Sequence, residues 1–132
     1  MHLPTTTDYA IRILQQVQKH AGEVQTTMDI VTATGINYPS VMKIAVRLRN
    51  AGLLNVVLGR CGGYTLGKRA EDISVYDVFA AVEGALQIKD GLQSDPIDPE
   101  GEQGDGDLDA FLSDLQDKMI AELSEISLAD LT

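Results

Sequence analysis

The 132-residue sequence has one cysteine and no tryptophan. A single thiol, at Cys61, excludes an internal disulfide and a site built from several thiolates. No apolar run approaches the ~20 residues that a membrane-spanning helix needs. The N-terminus also has no basic–apolar–small pattern of the kind found in secretory signal peptides. We therefore expect a folded cytoplasmic domain that does not contact a membrane.

The sequence also lacks the residue arrangements that enzymes use. Its two histidines, His2 and His20, have no serine or cysteine partner at a recognisable spacing. The glycines of residues 59–63 lack the strand–loop–helix context of a phosphate-binding loop. Carboxylates are abundant after residue 90, but their spacing matches no calcium-binding loop. We expect neither an enzyme nor a metal site.

Positive charge is scarce in the second half of the chain. Residues 70–132 contain two lysines and 17 acidic residues, whereas residues 1–69 contain eight Lys and Arg and three acidic residues. The first part therefore has a net charge of +5 and the second part −15, which together give −10. Because screening limits electrostatic attraction to roughly 8–10 Å, a local basic surface can attract DNA despite the acidic whole.

The apolar residues up to position 52 follow a helical spacing in three stretches. The first predicted helix covers roughly residues 7–20, and Thr26 with Asp29 forms a possible capping box for a second, shorter helix. A turn containing Gly35 follows. Asn37 and Pro39 then have the chemistry to begin a third helix, in which Val41 is expected to be buried. Two helices joined by a tight glycine turn indicate a helix-turn-helix.

A short hairpin is predicted directly after the third helix. Residues 53–58 are apolar except for one asparagine, residues 59–63 have turn chemistry, and residues 64–66 are typical of a return strand. A hairpin in this position is a wing. Ser74 and Asp77 form a second possible capping box for a helix that Gly84 ends.

The remaining residues divide into an acidic loop and a long helix. Residues 85–107 are rich in Gly, Asp, Glu, Pro and Gln, and Asp107 can cap the helix that follows. This helix has a stripe of apolar residues spaced by three or four, which favours packing against the same helix of a second copy. The stripe, and so the predicted dimer interface, comprises Leu108, Phe111, Leu112, Leu115, Met119, Leu123 and Ile126.

The predicted fold class is mainly α with a small β-hairpin wing. The winged helix-turn-helix domain covers residues 1–84, the acidic loop residues 85–107, and the dimerisation helix with a C-terminal turn residues 108–132.

Five segments, in order and at matching spacings, resemble one family. They include Thr7-Asp8-Tyr9-Ala10, Leu48-Arg49-Asn50-Ala51-Gly52-Leu53, Gly62-Gly63-Tyr64, Ser74-Val75-Tyr76-Asp77-Val78 and Ser127-Leu128-Ala129-Asp130-Leu131. Together they are similar to the Rrf2 family of winged helix-turn-helix transcription regulators, which includes IscR, NsrR and CymR. The resemblance covers nearly the whole chain except the acidic loop, and it implies a homodimeric, DNA-binding repressor.

The resemblance also defines what this sequence lacks. In many relatives, three cysteines in the loop before the long helix hold an iron–sulfur cluster, but residues 85–107 contain no cysteine. We therefore expect no cofactor. Asp8, at a position where some relatives supply a cluster ligand, is interpreted as a helix-start carboxylate that the helix dipole favours. The cluster-free regulators similar to CymR are the better functional model.

The DNA contacts are expected on the third helix and on the wing. Asn37 suits a bidentate contact with adenine unless it caps the helix, and Lys43 suits guanine or a phosphate. Relatives usually carry an arginine where Leu58 stands, so Arg60 is expected to replace it in the minor groove. The candidate DNA-binding residues are Asn37, Tyr38, Ser40, Met42, Lys43, Arg47, Arg60, Lys68 and Arg69.

Two alternatives stay open. A dimeric module that binds a regulatory protein and has lost DNA binding would have a similar sequence, and the leucine at position 58 favours this alternative. A small-molecule effector that binds between the winged domain and the long helix is the other.

Overall fold

The computed structural model describes residues 4–84 and 106–131 and has the predicted winged helix-turn-helix architecture. Its elements are α1 (Thr5–Lys19), α2 (Thr27–Thr34), α3 (Tyr38–Asn50), β1 (Leu54–Val57), β2 (Gly63–Leu66), α4 (Val75–Glu83) and α5 (Gly106–Glu125), with 3₁₀ turns at Ala70–Asp72 and Leu128–Leu131. Most of the predicted acidic loop, residues 85–105, lies outside the described residues. The predicted fold class is confirmed.

Side-chain caps fix the starts of α2 and α4. The Thr26 hydroxyl accepts a hydrogen bond from the Asp29 amide at 3.0 Å, and the Asp29 carboxylate accepts one from the Thr26 amide at 3.0 Å. Ser74 and Asp77 form the same reciprocal pair, also at 3.0 Å. Each box satisfies two backbone amides that a helix start leaves unpaired. Both predicted capping boxes are therefore confirmed.

One hydrophobic core joins the helices to the hairpin. Ile13 and Leu14 of α1, Ile30 of α2 and Leu48 of α3 are fully buried, and Leu128 after α5 is 1% exposed. The periodic apolar positions of the sequence therefore point inward, as amphipathic helices require.

The hairpin is docked against the segment that precedes α2. Strands β1 and β2 pair antiparallel, with Leu54 opposite Leu66 and Val57 opposite Gly63. The Tyr64 amide donates to the Gln25 carbonyl at 2.8 Å, and the Gln25 amide donates to the Tyr64 carbonyl at 3.0 Å. The return strand β2 thus begins one residue earlier than predicted. It pairs with β1 on one side and with Gln25 on the other.

Helix α5 begins at Gly106, so the prediction that Asp107 caps it is wrong; Asp107 lies in its first turn. The far end of α5 is tied to the winged domain. The Val75 amide donates to the Ile126 carbonyl at 2.8 Å, and the Leu128 amide donates to the Ile73 carbonyl at 2.7 Å. Among the described residues, no helix has the length and apolar character to cross a membrane.

Glycine is required at position 63 because the backbone of Gln25 lies against it. A Cβ there would overlap the Gln25 carbonyl group, with the carbonyl carbon at 2.7 Å. We predict that Gly63→Ala lowers the free energy of unfolding by about 1–3 kcal/mol, the usual cost of overpacking. Thr65→Ala, on the same strand, is the control and should cost less. Urea unfolding measures both, and equal losses would contradict the steric explanation.

Candidate nucleic-acid and dimer interfaces

The turn between α2 and α3 sets the angle of the predicted recognition helix. Gly35 ends α2 with φ 77°, a conformation that favours glycine, and its amide donates to the Val31 carbonyl at 2.9 Å. Ile36 follows and is buried. The turn is therefore held by both backbone geometry and core packing.

Helix α3 has one buried face and one outward face. Its buried residues are Val41, Ile44, Ala45 and Leu48, which confirms that Val41 belongs to the core. At about 100° per residue, Pro39, Lys43 and Val46 lie on the opposite side of the helix and Met42 borders them. Lys43 and Val46 are exposed. This outward face is the part of α3 that can enter a major groove.

Asn37 and Ser40 together form the N-terminal cap of α3. The Ser40 amide donates to Oδ1 of Asn37 at 2.9 Å, and Pro39 lies in the first turn. The capping alternative for Asn37 is thus confirmed. A bidentate contact of Asn37 with adenine would have to share that oxygen with the cap.

Met42 connects the recognition helix to the wing and to α2. Its Sδ atom lies 3.6 Å from the Thr27 hydroxyl and 3.9 Å from the Tyr64 hydroxyl, while those two hydroxyls are 3.5 Å apart. Tyr64 is 9% exposed, whereas Met42 is 38% exposed. No pattern in the sequence predicts this cluster, because its three members are far apart in the chain.

The wing turn presents Leu58, Arg60 and Cys61 to solvent. Gly59, at φ 107°, accepts a hydrogen bond at its carbonyl from the Gly62 amide at 3.0 Å, which closes the turn. Leu58 is 87% exposed, the largest value among the exposed large apolar side chains of the described residues. Arg60 is therefore placed as predicted, at the free end of the hairpin.

The Arg47 side chain forms a hydrogen bond with the backbone of α4. Its Nη1 atom donates to the Val82 carbonyl at 2.7 Å, at the end of α4. The C-terminal carbonyls of a helix carry partial negative charge, so this contact is favourable for a cation. Arg47 is nevertheless exposed and lies one turn after Lys43, so its contact with a phosphate stays a prediction.

Lys68 and Arg69 lie at the base of the hairpin, beyond the Leu54–Leu66 pair. The length of β2 places them roughly 13 Å or more from the turn that holds Arg60. Arg69 pairs with Glu71 at 3.2 Å and with Asp72 at 3.7 Å. A hydrogen bond from its own backbone amide, and then Arg69, lowers the pKa of the Glu71 carboxyl. Arg69 therefore lies beside two carboxylates, and its DNA contact stays a prediction.

The outward face of α3 and the wing belong to a stretch without negative charge. Residues 30–70 contain six Lys and Arg and no Asp or Glu. Helix α5 shows the opposite character: within Gly106–Glu125 it has one lysine, Lys118, which pairs with Asp114 at 3.0 Å. The charge contrast of the sequence is therefore a contrast between structural elements.

The apolar stripe of α5 divides into two parts. Leu112, Met119 and Leu123 are partly buried by the chain itself, and Leu123 packs against the core. By contrast, Phe111 is 62% exposed, Leu108 43% and Leu115 37%. Leu123 therefore covers its own domain, while Leu108, Phe111 and Leu115 form an exposed edge.

A groove of about 480 Å³ lies beside the end of α5. Asp8 and Arg12, which pair at 3.1 Å, supply its charged residues, and Ile126 is 39% exposed within it. The groove's apolar residues are Ile11, Val75, Leu123, Ile126 and Leu131. The groove thus lies between α1 and the C-terminal end of α5.

Known proteins support a regulator of transcription. A family model described as "Rrf2: Iron-dependent Transcriptional regulator" matches residues 3–132. The chain is 33% identical over 138 residues to the HTH-type transcriptional regulator IscR of Photorhabdus laumondii, covering 99% of this chain and 79% of that one. It is 30% identical over 98 residues to Protein aau3 of Rhizobium meliloti, covering 74% and 64%. It is 38% identical over 84 residues to Protein rrf2 of Nitratidesulfovibrio vulgaris, covering 63% and 56%. The last two matches span less than two thirds of those relatives.

Solved structures share the fold. CymR, the global cysteine regulator of B. subtilis, has a TM-score of 0.72 at 21% identity and covers 99% of this chain and 95% of that chain. IscR of T. potens has a TM-score of 0.72 at 23% identity and covers 99% and 85%. These proteins establish the winged helix architecture, which agrees with the predicted fold.

The residues of this chain do not fit a thiolate-held iron–sulfur cluster. Such clusters need several cysteine ligands. The sequence has one cysteine, and Cys61 is exposed on the wing turn. Within residues 4–84 and 106–131, no three His, Cys, Asp or Glu side chains are grouped so as to hold a metal ion. Asp8 pairs with Arg12 instead, in agreement with its interpretation as a helix-start carboxylate.

The Arg47–Val82 contact makes a testable distinction between a structural and a DNA-binding role. Because Arg47→Ala removes a hydrogen bond from a charged donor, we predict a loss of about 1–2 kcal/mol in the free energy of unfolding, discounted for partial exposure. Arg49→Ala, on the exposed side of the same helix turn, should change it by less than about 0.5 kcal/mol. Thermal or urea unfolding measures both. An Arg47 variant of unchanged stability would contradict the structural role.

Proposed function

This chain belongs to the Rrf2 family of transcription regulators, and we propose that it is a sequence-specific DNA-binding repressor that acts in the cytoplasm as a homodimer without an iron–sulfur cluster. The observation that carries the proposal is the acid-free stretch of residues 30–70, which supplies both the outward face of α3 and the wing. A stretch with six cations and no carboxylate favours attraction to the phosphate backbone.

In this proposal, α3 enters the major groove and the wing contacts the adjacent minor groove. Lys43 lies on the outward face of α3, where it can donate to a base edge or a phosphate. Arg60, at the hairpin turn, can enter a minor groove, where narrow A·T-rich DNA concentrates negative potential. The Met42–Tyr64 contact supports joint action, because it holds the wing and the helix at a fixed separation.

Dimerisation is supported by the exposed edge of α5. Leu108, Phe111 and Leu115 lie on one side of the helix, and apolar side chains in such a row are usually covered by another helix. A second copy satisfies this requirement with the same surface, as twofold dimers do. Two recognition helices then bind two half-sites of the operator, which raises both affinity and specificity.

Repression follows from occupancy of the site. A dimer bound across a promoter blocks access to the DNA that it covers. The acidic residues of α5 favour an orientation in which this helix points away from the phosphates, since like charges repel. That orientation leaves only the α3 and wing side of each subunit for DNA.

A second candidate is control by an effector, and the groove between α1 and α5 favours it. Its volume of about 480 Å³ is in the range of small-molecule sites, and its lining is mostly apolar with one charged pair. An effector or a regulatory protein bound there would change how α5 meets a second copy. The cationic stretch has no role in a module that has lost DNA binding, so we favour regulation of a DNA-binding dimer.

We predict that Lys43→Ala and Arg60→Ala each weaken operator binding and reduce the slope of log K against log salt by about 1, because each variant removes one phosphate-neutralising charge. Lys118→Ala is the matched control, since Lys118 lies on α5 and pairs with Asp114. The operator is first obtained by selection from a random DNA pool, and fluorescence anisotropy then measures binding at several salt concentrations.

Circular dichroism checks that all three lysine and arginine variants remain folded. Binding that is indifferent to both Lys43→Ala and Arg60→Ala would show that the DNA surface is elsewhere. Failure of the selection to enrich any sequence, with no binding to random DNA at low salt, would favour the interaction module instead.

Helix α5 provides the test of dimerisation. We predict that Phe111→Asp converts the protein to a monomer, because it places a charge in the centre of the exposed apolar edge. Ala110→Asp, exposed on the opposite side of α5, should leave the dimer intact. Sedimentation equilibrium measures the mass of each. A wild-type chain that sediments as a monomer, or a Phe111→Asp variant that remains dimeric, contradicts this interface.

A further inference from the structure

The outward face of α3 is more apolar than a solvent-exposed helix requires. Val46 is 45% exposed, Met42 38% and Tyr38 48%, and the three residues are spaced by four, one turn apart. Single exposed apolar side chains are ordinary, but a row of three on one helix marks a binding surface. Val46 lies opposite the buried face, so it is not explained by the core of its own domain.

The surroundings of this row indicate its occupant. Lys43 lies beside it on the same helix, and no acidic residue occurs from position 30 to position 70. A partner that binds this row must therefore carry negative charge and also present apolar groups within reach of the helix. Duplex DNA does so in its major groove, where the C5-methyl group of thymine is the apolar group on the base edges.

Resting on the proposed function, we propose that Met42 and Val46 recognise the C5-methyl groups of thymines in the operator. One helical turn separates them by about 6 Å, the span of about two base-pair steps. The two thymines therefore lie within about two or three base pairs of each other in each half-site.

Met42 is suited to this role by its chemistry and its contacts. A thioether is flexible and polarisable, so it can pack closely on a methyl group. The Thr27 and Tyr64 hydroxyls, at 3.6 and 3.9 Å from its sulfur, hold the side chain between α3 and the wing. Val46 has a branched, stiff side chain that needs no such support.

Replacement of thymine by deoxyuridine tests the proposal, because it removes the methyl group and leaves the hydrogen-bonding groups of the base unchanged. On the selected operator, each thymine is replaced singly and binding of the full-length dimer is measured by anisotropy. We expect about a fourfold loss of affinity at each contacted thymine, the effect of one buried methyl group. A thymine in the DNA that flanks the selected operator is the control.

The variants Met42→Ala and Val46→Ala assign the methyl groups to the side chains. Met42→Ala should abolish the deoxyuridine penalty at one position and Val46→Ala at the other, while each keeps the penalty at the remaining position. Met28→Ala, an exposed methionine on α2, is the matched control and should keep both penalties. Thermal unfolding of each variant verifies the fold, and sedimentation checks the dimer.

Each outcome is decisive. Position-specific loss of the penalty in the two variants supports the proposal. Tolerance of every deoxyuridine, or penalties that persist in both variants, overturns it while the proposed function stands. Variants that change self-association but not the deoxyuridine profile also overturn it, since they place a protein on this row. If selection enriches no operator, the proposed function fails as well.

Discussion

The backbone pairing of Gln25 with Tyr64 is the contact on which the geometry of the DNA-binding surface depends. It ties β2 to the segment just before α2, and the Tyr64 hydroxyl lies 3.9 Å from the sulfur of Met42 on α3. A two-stranded hairpin alone is only marginally stable in water. The third partner anchors β2 to the rest of the domain, and Tyr64 itself is buried there.

The distribution of charge imposes a second constraint. The stretch from residue 30 to residue 70, which contains α3 and the hairpin, carries only cations, while α5 carries a large excess of carboxylates. These opposite charges are compatible with one small chain because they occupy different elements and are screened over short distances. In the proposed function, this arrangement confines attraction for DNA to α3 and the wing, while the overall charge stays negative.

Much of the fold follows from local signals in the sequence. The capping boxes at Thr26 and Ser74, the glycine turn at Gly35 and the hairpin before Tyr64 are each encoded within a few residues, and the structure contains all of them. The roles that sequence alone does not predict depend on contacts that form only in the folded chain. Arg47 donates to the carbonyl of Val82, 35 residues away, and Arg69 pairs with Glu71 and Asp72 of the neighbouring 3₁₀ turn. The sequence shows that Val46 lies outside the buried stripe of α3. It does not show whether other elements cover this side chain, so its exposure is not predicted.

The described C-terminal residues attach the end of α5 to the winged domain. Hydrogen bonds from Val75 to Ile126 and from Leu128 to Ile73 join the end of α5 to the start of α4, and Leu128 is buried in the core. These contacts hold the end of α5 against the winged domain. Since α4 also accepts the Arg47 hydrogen bond, α3 and α5 are attached to the same element. In the proposed dimer, a shift of α5 against a second copy would reach α3 through these contacts with α4.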